Sequence, residues 1–428
     1  MKLVFDCMKP VRSGLVCLLL LSGILLPQEV TPPPGMVPAR LTLDVATEIL
    51  LIRNPILLRE RQNIAMARAG VTQASLRPNP EFEVTSESYP LFESNPGPFF
   101  QNNELIVRAG QPIEVAGKRG KRTRVAEQDV EVAQSLLQDT IQQLRLELKT
   151  RYYRVVLAKA DLELARQILT QFDKIILINQ ARYQQGEISG LELARTETER
   201  RRFSDDLVAA DLALQNSRTA LLELLGAGDL RAAFDVTETL TFRPLNVSVD
   251  QFQEQALAAR ADLQARRRQV ERERRQVAVE KSLGVPNVTP FAGYKRNLLE
   301  NSVTFGVRWN LPVFNRNQGE VERATARVDQ AGYEVQRVEL AVRSEVLQAY
   351  QTVQAEERRV RALESTYVAS ARKGRDIAQA SYRLGALDLI ELLDAERTYR
   401  ETLRGYNRTL FDHHTAVFQL EAAVGKDF

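Results

Sequence analysis

The chain has 428 residues and a formal net charge of only +3, because 58 Lys and Arg residues nearly balance 55 Asp and Glu residues. This balance argues against nucleic acid or an anionic surface as a general partner of the chain. The charges are interspersed along helical stretches, where they are typical of solvated helix faces with ion pairs one turn apart. The length allows a large core or two or more structural units.

Residues 1–28 are predicted to be a secretory signal peptide. A cationic start precedes an apolar run at 14–26, which is too short to cross a bilayer as a helix. The two cysteines of the chain, Cys7 and Cys17, both lie in this segment. The mature chain is therefore expected to form no disulfide and to carry no thiolate chemistry. No later apolar run reaches the roughly 18 residues of a transmembrane helix.

A first structural repeat is predicted over residues 29–245. Helical patterns on either side of Asn54-Pro55 are followed by alternating apolar and polar residues, which predict two strands near 81–111. From 117 to 225 the pattern is helical, and its apolar residues recur at the steps of three, four and seven typical of a coiled-coil seam. The first of these helices is predicted to extend for roughly 100 Å, at about 1.5 Å per residue.

A second repeat is predicted over residues 246–428, and it follows the same order of elements. Two strands are predicted near 288–311, where the alternation of apolar and polar residues is cleanest from Val303 to Trp309. Helices are predicted near 320–424, and the first of them is expected to run without a break from about Glu320 to Leu384.

The spacing of Pro and Gly residues indicates that the two halves are copies of one unit. Pro112 lies 74 residues before Gly186 in the first half, and Pro312 lies 73 residues before Gly385 in the second. Unrelated helical stretches would rarely match so closely. An internal repeat of this length indicates a duplicated fold before any single motif is considered.

Each long helix is followed by the motif Tyr-x-x-Gly, which runs from Tyr183 to Gly186 and from Tyr382 to Gly385. Glycine adopts the left-handed conformation that ends many helices, because it has no Cβ atom to clash. Ser189, and Asp388 in the second copy, then stand where N-caps of the returning helices belong. Each copy therefore predicts the tip of a long helical hairpin.

These elements predict a mainly α-helical fold of duplicated long-helix hairpins, with strands that would cross a membrane as part of a β-barrel. Strands of about ten residues are long enough to cross a bilayer at a tilt. Four strands cannot close a barrel, and each unpaired backbone group that faces lipid costs several kcal/mol. Three chains with four strands each would complete a twelve-stranded barrel. The alternative is an ordinary soluble helical protein with two surface hairpins.

The sequence resembles the TolC-like outer-membrane efflux proteins over essentially its whole mature length. The resemblance is carried by the duplicated halves, by the Tyr-x-x-Gly tips, and by the segments Gln111-Pro112-Ile113 and 311–319 before the long helices. It implies a homotrimer with a twelve-stranded barrel in the outer membrane and a helical tunnel through the periplasm. The junction between barrel and tunnel would then lie at Pro112, Pro312 and Gly319.

The resemblance also implies partners and a cargo. The tips at Tyr183, Gly186, Tyr382 and Gly385 would form the periplasmic mouth and contact a membrane-fusion adaptor, which couples to an inner-membrane pump of the RND type. Outer-membrane lipid would surround the barrel, and no cofactor is implied. The run 113–119 and its counterpart resemble the cobalt–zinc–cadmium efflux branch, so divalent metal cations are candidate solutes. The alternatives are the duct of a type I protein secretion system and a periplasmic coiled-coil scaffold without a pore.

The resemblance places an acidic constriction six and nine residues after the second tip glycine, where this chain has Glu391 and Asp394. Residues three apart share one helix face, so three chains would direct six carboxylates toward one axis and favour cations. The alternative is a pair of solvated helix carboxylates. The twin positions of the first repeat are Glu192 and Arg195, and a contact from Arg195 to either acidic residue would join the two hairpins.

Tyr382 occupies the position of a tyrosine that the resemblance assigns to closure of the mouth. Leu387 stands where the family has an arginine, so the arginine contact is not expected at that position. His413 and His414 are the two histidines of the chain, and neighbours on a helix point to different faces rather than chelating. We predict that they are surface or interhelical residues, that the chain binds no metal, and that it is not an enzyme, because no phosphate loop or nucleophile motif occurs.

Overall fold

The computed structural model describes residues 37–90, 92–95, 97–98, 103–245, 248–297 and 300–428. The predicted signal peptide at 1–28, with both cysteines, lies outside the described residues. In chain order the elements are β1 (Arg40–Leu41), α1 (Leu43–Arg53), α2 (Pro55–Ser75), β2 (Glu81–Glu87), β3 (Glu104–Gly110), α3 (Lys118–Gln184), α4 (Gly190–Leu224), β4 (Asp235–Val236), α5 (Val249–Ala259), α6 (Ala261–Leu283), β5 (Val288–Asn297), β6 (Glu300–Trp309), α7 (Gln318–Ala362), a π-helical turn (Leu363–Tyr367), α8 (Val368–Arg383) and α9 (Leu389–Val424).

The order of two short helices, two strands, a long helix and a returning helix occurs twice along the chain. Helix α3 has 67 residues, and α4 and α9 have 35 and 36 residues. The helical stretch at the start of the chain is interrupted at Asn54, between α1 and α2. The Asn54 side chain accepts hydrogen bonds from the Ile56 and Leu57 N–H groups. Pro55 fits the first position of α2 because that position needs no amide donor.

The second long helix differs from the sequence-based expectation at both its start and its middle. It begins at Gln318 rather than Glu320, because Asn317 adopts a left-handed conformation with φ of 64° and starts the helix. Gly319 lies inside the first turn of α7 rather than before it. The expected unbroken helix is wrong at Leu363–Tyr367, where the Val368 N–H bonds to the Leu363 carbonyl five residues back and forms a π-helical turn.

The main sheet has the strand order β2-β3-β5-β6, and all neighbouring strands are antiparallel. The pairing of β3 with β5 joins the two halves of the chain, and β2 and β6 are left as free edges. Strands β5 and β6 have ten residues each, as expected, whereas β2 and β3 have only seven. Strand β2 ends early because Ser88 adopts a left-handed φ of 62°, which an extended strand cannot continue through.

The register of the sheet separates an apolar face from a polar face. One row across the four strands consists of Val84, Val107, Tyr294 and Val303, and an adjacent row has Phe82 and Phe305 at its ends. Phe305 is 85% exposed and Val303 is 75% exposed in the single chain. The rows that alternate with these two contain charged groups such as Arg108 and Lys295. Alternation of this kind is expected where one face of a sheet contacts lipid and the other lines water.

Helix α3 packs against α2, α4, α6 and α9 and forms the centre of the helical region. One core cluster surrounds Tyr152, which is fully buried and donates its hydroxyl to the Leu41 carbonyl at 2.7 Å. A second cluster joins α7 to α9 through Val342, Val346 and Leu420. Among the described helices, none combines the length and the apolar character that a bilayer crossing requires.

Candidate functional site

The first hairpin tip is shaped by local backbone chemistry. Gly186 follows α3 in the left-handed region with φ of 76°. The Glu187 N–H donates to the Arg182 carbonyl at 2.9 Å, which satisfies one of the carbonyls left free at a helix end. The Ser189 side chain accepts a hydrogen bond from the Glu192 N–H at 3.2 Å and caps α4. The tip therefore reverses the chain within five residues, between 184 and 190.

The second tip repeats this turn. Gly385 has φ of 73°, and the Ala386 N–H donates to the Ser381 carbonyl at 2.9 Å. Asp388 is the N-cap residue of α9, as the sequence predicts, but its side chain forms no capping hydrogen bond. Its carboxylate still lies at the positive end of the helix, where a negative charge is stabilising.

Tyr382 connects the second hairpin to the first. Its side chain is only 2% exposed, and its hydroxyl donates to Oδ1 of Asn179 on α3 at 2.8 Å. The Oε1 atom of Glu192 on α4 lies 3.3 Å from the same hydroxyl. Asn179 is fully buried and donates through Nδ2 to Oγ1 of Thr196 at 2.9 Å. A buried polar group without a partner is costly, so this network specifies one relative position of the two tips.

Arg182 makes a second connection between the same two tips. Its guanidinium donates to the Tyr382 carbonyl at 3.3 Å and lies 5.6 Å from the centre of the Tyr382 ring. It also pairs with Glu187 at 3.3 Å. A Cβ atom at Gly385 would lie 2.9 Å from the Arg182 guanidinium, so glycine leaves room for this contact. Arg182 on the first hairpin therefore places a cation against Tyr382 of the second.

Burial raises the pKa of the Tyr382 hydroxyl, and the nearby Glu192 carboxylate raises it further, while Asn179 and Arg182 act in the opposite direction. A tyrosine already ionises only near pH 10 in water. The hydroxyl therefore remains a neutral donor at neutral and acidic pH. The connection between the tips does not depend on titration of this group.

Glu391 and Asp394 lie in the first two turns of α9, and both are exposed in the single chain. Asp394 pairs with Arg397 on its own helix at 2.5 Å, and both side chains are more than 60% exposed. Exposed pairs of this kind contribute little to stability. Arg195 is exposed on α4, and among the described residues no ion pair within the chain joins it to Asp394 or Glu391.

Sequence reasoning missed Asn179, Thr196 and Arg182, although one signal for Asn179 was present. Asn179 continues the buried stripe of α3 that includes Phe172, Ile175 and Ile176, and a polar residue on such a stripe needs a buried partner. Arg182 gave no comparable signal, because an arginine in the last turn of a helix is ordinarily explained by the helix dipole.

Glu396, also missed, is a buried carboxyl group between α8 and α9. It is 3% exposed and accepts a hydrogen bond from Gln379 at 2.5 Å. Burial raises its pKa, whereas Gln379 and Arg375 lower it. Arg375 in turn lies 3.9 Å from the centre of the Tyr399 ring, so the second hairpin carries a polar core of its own near its tip.

Pro112 and Pro312 lie between the strands and the long helices that follow them, whereas Gly319 lies within the first turn of α7. Pro112 follows β3, and the Ile113 N–H bonds to the Val288 carbonyl at 2.8 Å. The Arg316 side chain donates to the Pro312 carbonyl at 3.3 Å in the second half. Lys118, at the start of α3, is 5% exposed, and its Nζ donates to Oδ1 of Asn287 at 2.5 Å. These contacts fix the long helices relative to the strands.

Metal-ligating side chains are dispersed in this structure. In the part of the chain that the structure describes, no three His, Cys, Asp or Glu residues come together in an arrangement that could hold a metal ion. His413 is 1% exposed, so it is an interhelical residue rather than a surface residue. His414 packs on Tyr153, with 4.5 Å between the ring centres.

Long hairpins that meet at their tips, with a small sheet at the opposite end, define a tunnel-forming channel protein. The sequence profile of the family described as outer membrane efflux protein matches residues 47–227 and 253–426. The chain belongs to this family. The sequence-based predictions of an outer-membrane efflux channel and of a helical tunnel with a barrel are therefore confirmed.

Individual relatives agree with this assignment. The chain is 24% identical over 388 residues to the cobalt-zinc-cadmium resistance protein CzcC of Cupriavidus metallidurans, covering 90% of each protein. It is 25% identical over 329 residues to the nickel-cobalt-cadmium resistance protein NccC of Alcaligenes xylosoxydans xylosoxydans, covering 76% of this chain and 71% of that protein. The solved CmeC outer membrane channel of Campylobacter jejuni superposes with a TM-score of 0.74 at 15% identity, covering 90% of this chain and 85% of the other.

Proposed function

We propose that the chain is a passive exit duct that assembles as a homotrimer and has no catalytic role. The observation that carries this proposal is the four-stranded sheet, which has a continuous apolar face and free edges at β2 and β6. Free edges cannot face lipid, because unpaired backbone groups are too costly there. Pairing β2 of one copy with β6 of the next satisfies both edges, and three copies give a twelve-stranded barrel.

The two tips are the proposed periplasmic mouth and the contact site for a membrane-fusion adaptor. Tyr183 is 48% exposed and Leu384 is 84% exposed, so the tips present apolar surface that the chain itself leaves uncovered. Exposed apolar surface at the end of a long element is typical of an interaction site. The adaptor would couple the duct to an inner-membrane pump of the RND type.

Divalent metal cations are the proposed cargo. The names of two relatives, CzcC and NccC, state resistance to cobalt, zinc, cadmium or nickel. The exposed carboxylates Glu391 and Asp394 fit this cargo, because in a trimer they would place six negative charges around the mouth. The same field would hinder anions, which distinguishes this duct from one for acidic polypeptides.

Deletion of the gene is expected to sensitise its host to divalent metals. We expect lower growth-inhibiting concentrations of zinc, cobalt and cadmium, with restoration by the full chain, because the pump and adaptor deliver metal across the outer membrane through a completed duct. Growth in a metal series and in a drug panel measures this. Sensitivity confined to drugs would contradict the metal cargo while leaving the duct in place.

The double variant Glu391→Ala/Asp394→Ala is expected to raise single-channel conductance in planar bilayers and to reduce cation selectivity. Truncation widens the constriction and removes the charges that concentrate cations there. The double variant Glu48→Ala/Glu254→Ala removes two exposed carboxylates from α1 and α5, outside both tips, and is the matched control. Equal conductance in the parent and in the Glu391/Asp394 variant would contradict the assignment.

A further inference from the structure

The end of the sheet that connects to the helices lies at a defined level of the membrane. Strands β2 and β5 begin there, and strands β3 and β6 end there, so all four helix connections emerge at the same end. Since the helices form the periplasmic tunnel, this end lies beside the headgroups of the periplasmic leaflet. Trp309, the last residue of β6, is 55% exposed, and Phe314 is 90% exposed. Aromatic side chains of this kind are enriched at the headgroup level.

The same end carries a local excess of positive charge that the net charge of +3 conceals. Residues 113–124 contain five cations and one carboxylate, whereas the counterpart 313–324 contains two of each. The one carboxylate, Glu114, forms an ion pair with Arg122 at 2.7 Å. Among the described residues, no carboxylate pairs with the other exposed or half-buried cations of this region, which are Arg77, Arg119, Lys121 and Arg124.

These cations border a cleft of about 620 Å³ between the end of α2 and the start of α3. Its walls include Arg77, Pro112, Lys118 and Arg119. Lys118 also lines the adjoining cleft that contains Trp309, so the basic cleft and the aromatic residue share one wall. Burial lowers the pKa of Lys118. A bound anion would offset the cost of keeping this ammonium group charged.

The chemistry of the cleft selects its ligand. Guanidinium groups bind phosphate oxygens through paired hydrogen bonds, and the first turn of α3 has no side-chain cap, so its positive end adds to the attraction. The apolar residues of β2, Phe82 and Val84, begin five and seven residues after Arg77 and are exposed. A lipid whose phosphate occupies the cleft would therefore lay its acyl chains along the apolar face of the sheet.

We propose that the cleft between Arg77 and Arg119 binds the phosphate group of an anionic phospholipid in the periplasmic leaflet of the outer membrane. The proposal rests on the barrel placement given under the proposed function. Each trimer would hold three such lipids, one beneath each β2–β3 pair. A zwitterionic lipid would bind less well, because its ammonium group would approach the same cations. The lipids would fix the depth and orientation of the barrel.

Native mass spectrometry of the full chain in detergent, titrated with phosphatidylglycerol or phosphatidylethanolamine, tests this proposal. The variant Arg77→Gln/Arg119→Gln is expected to bind phosphatidylglycerol about tenfold more weakly, with phosphatidylethanolamine little changed. The control Arg372→Gln/Lys373→Gln removes two exposed cations from α8, far from the sheet, and should bind both lipids as the parent does. An equal loss of phosphatidylglycerol binding in the control would contradict the proposed lipid site.

Two further measurements separate the possible failures. Displacement of phosphatidylglycerol by millimolar inorganic phosphate would indicate an anion site without lipid specificity and would overturn the lipid assignment. Conductance of the same preparations reports on the duct. If the parent conducts but binds both lipids equally, the lipid proposal is wrong and the duct proposal stands. If the parent passes no current, both proposals are wrong.

Discussion

Tyr382→Phe is expected to shift the proposed periplasmic mouth toward an open state by roughly fivefold to 150-fold, since loss of one buried hydrogen bond costs about 1–3 kcal/mol. The substitution removes the hydroxyl that donates to Asn179 at 2.8 Å and leaves the ring in place. The Asn179 carbonyl oxygen then has no donor from the second hairpin while both tips stay together. Separation of the tips exposes this oxygen to water, so the variant favours separation.

Single-channel recording in planar bilayers measures this effect as a higher open probability. Tyr183→Phe is the matched control, because it deletes a hydroxyl from the corresponding tip residue, which is 48% exposed. Adding Arg182→Gln to Tyr382→Phe should increase the opening further, since it removes the contact with the Tyr382 carbonyl. Identical recordings from Tyr382→Phe and Tyr183→Phe would show that the Tyr382 network does not hold the mouth closed.

The elements that sequence analysis located correctly depend on local chemistry. Helix ends at Gly186 and Gly385 follow from the left-handed conformation that glycine accepts, and both glycines adopt it. The strand at Val303 to Trp309 follows from alternation, and it forms as β6. Such signals lie within a few neighbouring residues, so one sequence suffices to interpret them.

The parts that sequence analysis missed depend on distant partners or on small energetic differences. Tyr382 and Asn179 are 203 positions apart, and their contact requires a particular rotation of two helices about their axes. The π-helical turn at Leu363–Tyr367 contains no Pro or Gly that would predict an interruption of the α-helix. Asn317 and Gly319 both tolerate unusual backbone conformations, so either could precede α7. Asn317 takes this position because its side chain donates to the Glu280 carbonyl of α6 at 2.9 Å.

Acidification from about pH 7 to pH 4 is expected to destabilise the fold through the buried histidine pair. His413 is 1% exposed, and neither of its ring nitrogens has a hydrogen-bond partner among the described residues. Burial lowers the pKa of His414 to about 4, with further lowering by His413 and Arg243, whereas the Thr241 backbone acts oppositely. Burial also lowers the pKa of His413, although Glu357 and Glu356 on α7 oppose this.

The direction of the effect follows from which state binds the proton. An unfolded histidine takes up its proton near pH 6.5, whereas folded His414 does so only near pH 4. Stability is therefore fully present above about pH 7 and falls as the pH drops through this window, because the unfolded state then binds more protons. The separation of the two pKa values corresponds to about 3 kcal/mol for His414.

Thermal unfolding of the purified chain between pH 7 and pH 4 measures this loss, and His414→Phe isolates it. Phenylalanine retains the packing on Tyr153 and Phe418 but cannot take up a proton. Carboxylates also titrate in the lower part of this range, but they contribute equally to both proteins, so the difference between parent and variant reports the histidine. The parent should lose stability relative to His414→Phe as the pH falls below 6.5, and parallel curves would mean that His414 is hydrated and titrates normally in the folded chain.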